Sequence, residues 1–385
     1  MQRAHKSPRL LFAGGGTGGH AYPAIAIAKA VARLAPSAEI LFAGTRDRIE
    51  WKAVPQAGFD IVPVTVTGIQ RRLSWRNVVW PFKLVAGFLQ SLRIVKKFDP
   101  DIAVGTGGFV AGPVLLAASV LRRPIVLQEQ NAFAGKTNRW LSKRATQIHV
   151  AFPEAMAYFP KGRSILSGNP TRPELATADP VSARTHFDIP ESVPVLFVFG
   201  GSLGSAALNQ VMASRLEDIL SDIPNLHVIW QTGALYFDRY QASVADRPRL
   251  RLLKYVERMD LAYAAADIVL CRSGASTCSE LAVTGSTAIL VPSPNVAEDH
   301  QRMNAMSLVK ADAAVMVEEG TLERDIVATV SNLLADLPRR RDLSANIARL
   351  AKPDAAEDIA RHVLEHVGWT ASSVDDAQRG GVANE

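Results

Sequence analysis

Short, uninterrupted apolar runs separated by amphipathic stretches set the rhythm of this chain. Leu10–Ala13, Ile40–Ala43, Ile102–Val104 and Ile125–Leu127 read as strands buried on both faces. Between them, Pro23–Leu34 and Pro113–Leu121 have the pattern of amphipathic helices. Strand and helix alternating in this way predict parallel sheets with right-handed crossovers. From about residue 170 to 194 the rhythm breaks, and prolines, threonines and charged residues dominate. It resumes at Val195–Phe199 and continues through Val228–Trp230, Ile268–Leu270, Ala288–Val291 and Ala314–Met316. Helical patterns at Glu323–Leu337 and Ala355–Val367 complete it. The expectation is an α/β chain of two doubly wound, Rossmann-like domains, residues 7–170 and 171–350. A helix within 351–368 is expected to pack back on the first domain, and the polar segment 371–385 to be a disordered tail.

Composition changes this picture little. At 385 residues the chain exceeds one ordinary core. Its 48% hydrophobic and 21% charged residues exclude a collagen, a coiled coil or wholesale disorder. The formal net charge of +6 points to an acidic partner: nucleic acid, an anionic membrane or a phosphorylated substrate. Only Cys271 and Cys278 are present, which suits a reducing compartment and two small apolar side chains. The basic N-terminus (Arg3, Lys6, Arg9) leads into only four apolar residues before glycines, a poor secretion signal. No apolar run approaches the ~20 residues that span a bilayer. A cytoplasmic protein able to lie on a membrane is expected.

In open parallel sheets ligands bind beyond the carboxyl ends of the strands, so in two such domains the cleft between facing strand ends is the natural site. The motifs fall at those ends. The first strand runs into Gly14-Gly15-Gly16-Thr17-Gly18-Gly19-His20, where backbone amides at a helix start suit an anion and His20 suits a proton acceptor. Gly14, Gly16 and Gly19 also fit a dinucleotide fingerprint, but the second strand ends Phe42–Thr45 with nothing acidic before Asp47, which removes the ribose partner. The plain alternative is a helix-entry histidine bonding its own turn. Gly200-Gly201-Ser202-Leu203-Gly204-Ser205 opens the second domain alike, as a phosphate cradle or simply a tight turn. In Cys271–Glu280, Glu280 lies about a turn into a helix, where it either chelates a ribose diol or serves the helix dipole. Asp299–Ala305 brings His300 and Gln301 to another helix start, as sugar contacts or a solvated end. Asp99-Pro100-Asp101 matches an Asp-x-Asp metal motif, yet it sits at the opposite end of the sheet, where Asp-Pro is turn chemistry. No metal site is expected. Residues 71–98 carry seven basic side chains, including Arg71, Arg72, Arg76 and Lys83, and no acidic one. Trp75, Val79, Trp80 and Phe82 interleave with them, which favours a helix lying on an anionic membrane over a purely core-facing one.

Taken together, Gly15–His20 with Pro23, Gly107–Pro113, Gln128–Asn131, Gly168–Arg172, Gly200–Ser202, Arg272–Glu280 and His300–Ala305 resemble the MurG family of GT-B glycosyltransferases, in order and over roughly residues 9–310. The resemblance implies transfer of N-acetylglucosamine (GlcNAc) from UDP-GlcNAc to the C4 hydroxyl of N-acetylmuramic acid in the undecaprenyl-pyrophosphoryl pentapeptide, lipid I. The product would be lipid II, formed with inversion and without a cofactor. It implies His20 as base and Gly16, Thr17, Gly18, Gly107 and Gly108 against the acceptor pyrophosphate. For the donor it implies Arg172 and Ser202 on the diphosphate, Glu280 on the ribose, and the backbone near Val256 and Ala275 on the uracil. Ser276 and Thr277, with Thr17, Gly18 and Gly19, belong to the same donor site, and Asn131, His300 and Gln301 contact GlcNAc. It further implies a peripheral location on the cytoplasmic face of the inner membrane, among other cell-wall synthesis proteins and away from nucleic acid. Leu203 and Ser205 depart from the family's usual glutamine and alanine, and His300 replaces a glutamine of some members. The alternatives are a GT-B transferase with another acceptor and a UDP-GlcNAc 2-epimerase, which shares the architecture and needs no lipid.

Overall fold

The computed structural model describes residues 7–66, 75–244 and 247–369, with backbone alone for 75–82 and 297. The polar tail 371–385 and Arg72 lie outside the described residues, as do the side chains of Trp75, Arg76, Val79, Trp80 and Phe82. The chain divides into two compact units, residues 1–170 with 354–385, and residues 171–353.

In the first unit seven parallel strands run β1 (Arg9–Gly14), β2 (Glu39–Gly44), β3 (Asp60–Pro63), β4 (Ile102–Gly107), β5 (Ile125–Glu129), β6 (Gln147–Val150) and β7 (Ser164–Leu166). Their spatial order is β3-β2-β1-β4-β5-β6-β7, so the chain reverses direction across the sheet between β1 and β4. The helices are α1 (Gly18–Leu34), α2 (Glu50–Gln56), α3 (Trp75–Phe98), α4 (Ala111–Val120) and α5 (Lys136–Leu141). One face of the sheet packs Leu11, Ala103, Leu127 and Ile148 against Val95 of α3 and Val114 and Leu115 of α4. The other packs Leu10, Phe12, Ile102 and Val126 against Ile27 and Val31 of α1.

The second unit repeats the plan with β8 (Val195–Phe199), β9 (His227–Gln231), β10 (Leu250–Leu253), β11 (Ile268–Cys271), β12 (Ala288–Leu290) and β13 (Val315–Met316). Their order is β10-β9-β8-β11-β12-β13, with the reversal between β8 and β11. Its helices are α6 (Pro180–His186), α7 (Ala206–Asp222), α8 (Phe237–Val244), α9 (Met259–Ala265), α10 (Ala275–Thr284), α11 (His300–Lys310), α12 (Leu322–Ala335) and α13 (Leu337–Ala348). The fully buried Trp230 anchors this core, its indole N–H donating to Asn209 Oδ1 at 3.0 Å.

The last helix, α14 (Ala355–Glu365), rejoins the first unit. Ile359, Ala360, Val363 and Leu364 are buried with Ile27, Ala28 and Val31 of α1. The segment that reads as irregular after residue 170 contains α6, because Asp179 caps it through Ser182 N at 2.8 Å and Pro180 occupies its first turn. The helix expected at Glu323–Leu337 is α12, which ends at Ala335; a further helix, α13, follows from Leu337 after a break at Asp336, with Pro338 in its first turn.

Candidate functional site

Each sheet places its glycine-rich turns at its own point of reversal, where two adjacent strand ends diverge and leave a crevice. In the first unit these are the turn after β1 and Gly107-Gly108 after β4. They touch: Gly108, at φ +83°, presses so closely on Gly15 that a Cβ there would stand 2.0 Å from the Gly15 carbonyl oxygen. Only glycine fits that approach. Thr17 is the exposed N-cap of α1, and Gly18 and Gly19 form its first turn, where amides have no intrahelical acceptor. The Gly16 amide is already used, donating to Glu50 Oε2 at 2.9 Å, while Thr45 N donates to the other oxygen at 3.1 Å. Glu50 is buried, and a carboxylate under this turn pins its shape. It is a residue that the sequence reading missed.

His20 is half-buried in the same crevice. Its Nδ1 lies 2.9 Å from the Thr106 carbonyl and 3.1 Å from Gln130 Oε1. Thr106 Oγ1 in turn donates to the His20 carbonyl at 2.7 Å. Asn131 follows directly, its amide N–H donating to Glu129 Oε1 at 3.1 Å. The buried Glu129 also accepts from Gly135 N and Asn138 Nδ2, so one carboxylate organises the loop from 131 to 138.

In the second unit Glu280 sits in the second turn of α10. Tyr263 OH donates to its Oε2 at 3.0 Å and Arg172 to its Oε1 at 3.2 Å. Burial raises the Glu280 pKa, and Arg172 and the Tyr263 hydroxyl oppose that shift. Tyr263 is itself buried, and its hydroxyl is pushed well above the ordinary phenol range by burial and by the Glu280 charge. Ala275, Ser276 and Thr277 form the half-buried first turn of α10, and Ser202 is exposed on the turn after β8. The Val256 amide is held by Gln231 Oε1 at 2.9 Å, while Gln231 Nε2 donates to the Gly201 carbonyl at 2.9 Å. Gln231 thus ties the two backbone segments expected around the nucleotide.

Arg272 is buried beneath the same turn. It donates to Ser205 Oγ and to the Val291 carbonyl at 3.1 Å, and it pairs with Glu319. Ser205 also caps α7 by accepting from Leu208 N, so its hydroxyl fixes the end of the glycine-rich turn. At α11, His300 is the first residue, and the Gln301 side-chain oxygen accepts from Ser293 N at 2.9 Å. Ser273 Oγ donates to the Gln301 carbonyl and Asn304 Nδ2 to the Ser273 carbonyl, fastening α11 to the end of β11. Cys271 and Cys278 are fully buried thiols with pKa values raised by burial, which makes them core residues. Asp101 accepts from Arg9 N at 2.9 Å at the start of β1, the opposite end of that strand from His20. Among the described residues no group of three or more His, Cys, Asp or Glu is arranged to hold a metal.

Lys83 lies on α3, half-buried, beside outward-facing Leu84, Val85 and Leu89. The helix turns Val95 and, in part, Phe88 and Leu92 to the core, so apolar residues occupy both its faces. Among the described residues no helix is long and apolar enough to cross a membrane.

Two family models match the chain: the glycosyltransferase family 28 N-terminal domain over residues 10–150 and its C-terminal domain over residues 195–359. A UDP-N-acetylglucosamine–N-acetylmuramyl-(pentapeptide) pyrophosphoryl-undecaprenol N-acetylglucosamine transferase of Salinibacter ruber is 51% identical, covering 93% of this chain and 97% of that one. The protein of the same name in Flavobacterium psychrophilum is 43% identical over 93% of this chain and 98% of its own. Among solved structures, Acinetobacter baumannii MurG aligns with a TM-score of 0.75 at 27% identity, over 94% of this chain and all of that one.

Proposed function

The chain belongs to glycosyltransferase family 28 and has the GT-B fold, and from that premise we infer that it moves GlcNAc from UDP-GlcNAc to lipid I, giving lipid II. The observation that carries this is the 51% identity, over nearly the whole of both chains, to a transferase named for that donor and acceptor.

The chemistry is a single inverting displacement. The C4 hydroxyl of the muramyl sugar attacks the anomeric carbon of GlcNAc, the bond to UDP breaks, and the electron pair leaves with UDP. Two tasks follow: one base for the hydroxyl proton and one positive environment for the departing diphosphate. His20 takes the first task, supported by its place at the mouth of the first crevice. Thr17, Gly18, Gly107 and Gly108 face the acceptor pyrophosphate there. Gly16 belongs to this turn too, though its N–H is committed to Glu50. Thr17, Gly18 and Gly19 also border the donor.

Arg172, Ser202 and the start of α7 take the second task, where a guanidinium and helix dipole oppose the charge developing on UDP. Glu280 receives the ribose hydroxyls, and Tyr263 already holds its carboxylate in place. The backbone at Val256 and Ala275, with Ser276 and Thr277 beside it, borders the uracil, and Asn131, His300 and Gln301 contact GlcNAc. The lipid acceptor requires work at a membrane surface. Lys83 with exposed Leu84, Val85 and Leu89 supports a peripheral contact through α3 on the cytoplasmic side.

Transfer of labelled GlcNAc from UDP-GlcNAc to lipid I tests the reading, beside a control without acceptor analysed for UDP-ManNAc. Labelled disaccharide lipid is expected only with acceptor, and UDP-ManNAc in the control would mean an epimerase instead. In the same assay His20→Ala should lower kcat about 10²- to 10⁴-fold with UDP-GlcNAc binding unchanged. Near-wild-type turnover would remove His20 from the base's role.

A further inference from the structure

The run Gln128-Glu129-Gln130 is given no part in the transfer described above, yet all three side chains are buried, and Gln130 reaches the imidazole of His20. Gln130 Nε2 donates to the Thr106 carbonyl at 2.7 Å and the Gln128 carbonyl at 3.3 Å, and it also meets Gln128 Oε1. Two of these oxygens are backbone carbonyls that can only accept, so reversing the amide would set oxygen against oxygen at both, and its orientation is fixed. Oε1 is thereby turned to His20 Nδ1, 3.1 Å away. The other neighbour of Nδ1 is the Thr106 carbonyl at 2.9 Å. Both neighbours accept and neither donates. A lone pair on Nδ1 would face two more lone pairs, so the proton of the neutral ring belongs on Nδ1. The ring is also held by shape: a Cβ at Gly107 would stand 3.0 Å from its Nδ1 and Cε1.

We infer that Gln130 is a positioning residue which, with the Thr106 carbonyl, fixes neutral His20 as the Nδ1–H tautomer and leaves Nε2 as the atom that receives the acceptor proton. The inference rests on His20 being the base. As the C4 oxygen bonds to the anomeric carbon and UDP departs with its electron pair, the hydroxyl proton moves to Nε2. The resulting imidazolium keeps both acceptors on Nδ1–H, and the Nε2 proton is lost to solvent after product leaves.

The direct test is ¹⁵N–¹H correlation of the histidine side chains in the full chain, with His20→Gln identifying the His20 signals among the 8 histidines. Wild type should show a single Nδ1–H tautomer for neutral His20. An Nε2–H or mixed population in wild type overturns the inference without reference to any variant. Gln130→Met keeps the side-chain length and removes the acceptor. It should admit the Nε2–H form and lower kcat roughly 10- to 100-fold at unchanged KM for UDP-GlcNAc. An unchanged tautomer with unchanged kcat in that variant also overturns it. Near-wild-type transfer by His20→Gln, with the tautomer still fixed in wild type, would instead refute the base reading alone.

Discussion

Single side chains in this molecule do their work through partners far away in sequence. His149 on β6 is an example unconnected with transfer. It is fully buried, accepts or donates at 2.6 Å with Ser167 Oγ, and stacks on His362 of α14 with ring centroids 5.4 Å apart. Burial first, and then the charges of His362 and His366, lower its pKa from 6.5 to about 3. The fold therefore keeps His149 neutral, whereas the unfolded chain protonates it below 6.5. That stability is complete above 6.5 and declines as pH falls toward 3. Between pH 7.5 and 5 the loss is about 2 kcal/mol. Urea unfolding of His149→Asn at those two pH values should show a smaller difference than wild type by about that amount, and an equal difference would dismiss the assignment. The same distance rule explains what could be read beforehand. The glycine-rich turns at the strand ends, with His20 beside the first, stand out because they are runs of consecutive residues. Gln130 meets His20 across 110 residues, Glu50 meets Gly16 across 34, and Tyr263 meets Glu280 across 17. No local pattern marks such pairs. A search for an acidic ribose partner after β2 stopped at Asp47, while Glu50, three residues on, holds the turn itself.

Strands were legible where they are continuous apolar runs. The central strands β1, β4, β5, β8 and β11 are continuous apolar runs and stand out in the sequence. β3, β7 and β10 were missed, and all three lie at sheet edges. An edge strand is only half covered, so it tolerates Asp60, Ser164 or Arg251 and loses the apolar signature. β6 was hidden by Gln147 and His149. Helix ends depend on caps, which periodicity does not register. Asp336 ends α12 and accepts from Arg339 N at 2.9 Å to start α13, with Pro338 in the first turn. Asp336→Ala should destabilise the second unit by about 1 kcal/mol, read as a lower midpoint in its denaturation. No change would mean that Pro338 alone sets the break.

At the scale of the whole molecule the chain order and the spatial order disagree. The second unit is one continuous segment, but the first is completed only by residues from 354 onward. Ile359, Val363 and Leu364 of α14 cover Ile27 and Val31. Burying three such side chains contributes on the order of 5 kcal/mol. A chain ending at Pro353 should therefore lose the thermal transition of the first unit, or show it at lower temperature, while that of the second persists. Two transitions at wild-type temperatures would mean that α14 is dispensable. The consequence reaches back to synthesis. On the ribosome the second unit emerges whole and has every residue it needs, while the half made first still waits for its closing helix. At 5–20 residues per second that wait is roughly 10–40 s. Throughout it, the apolar stripe of α1 is open to whatever else in the cell binds nascent hydrophobic surface.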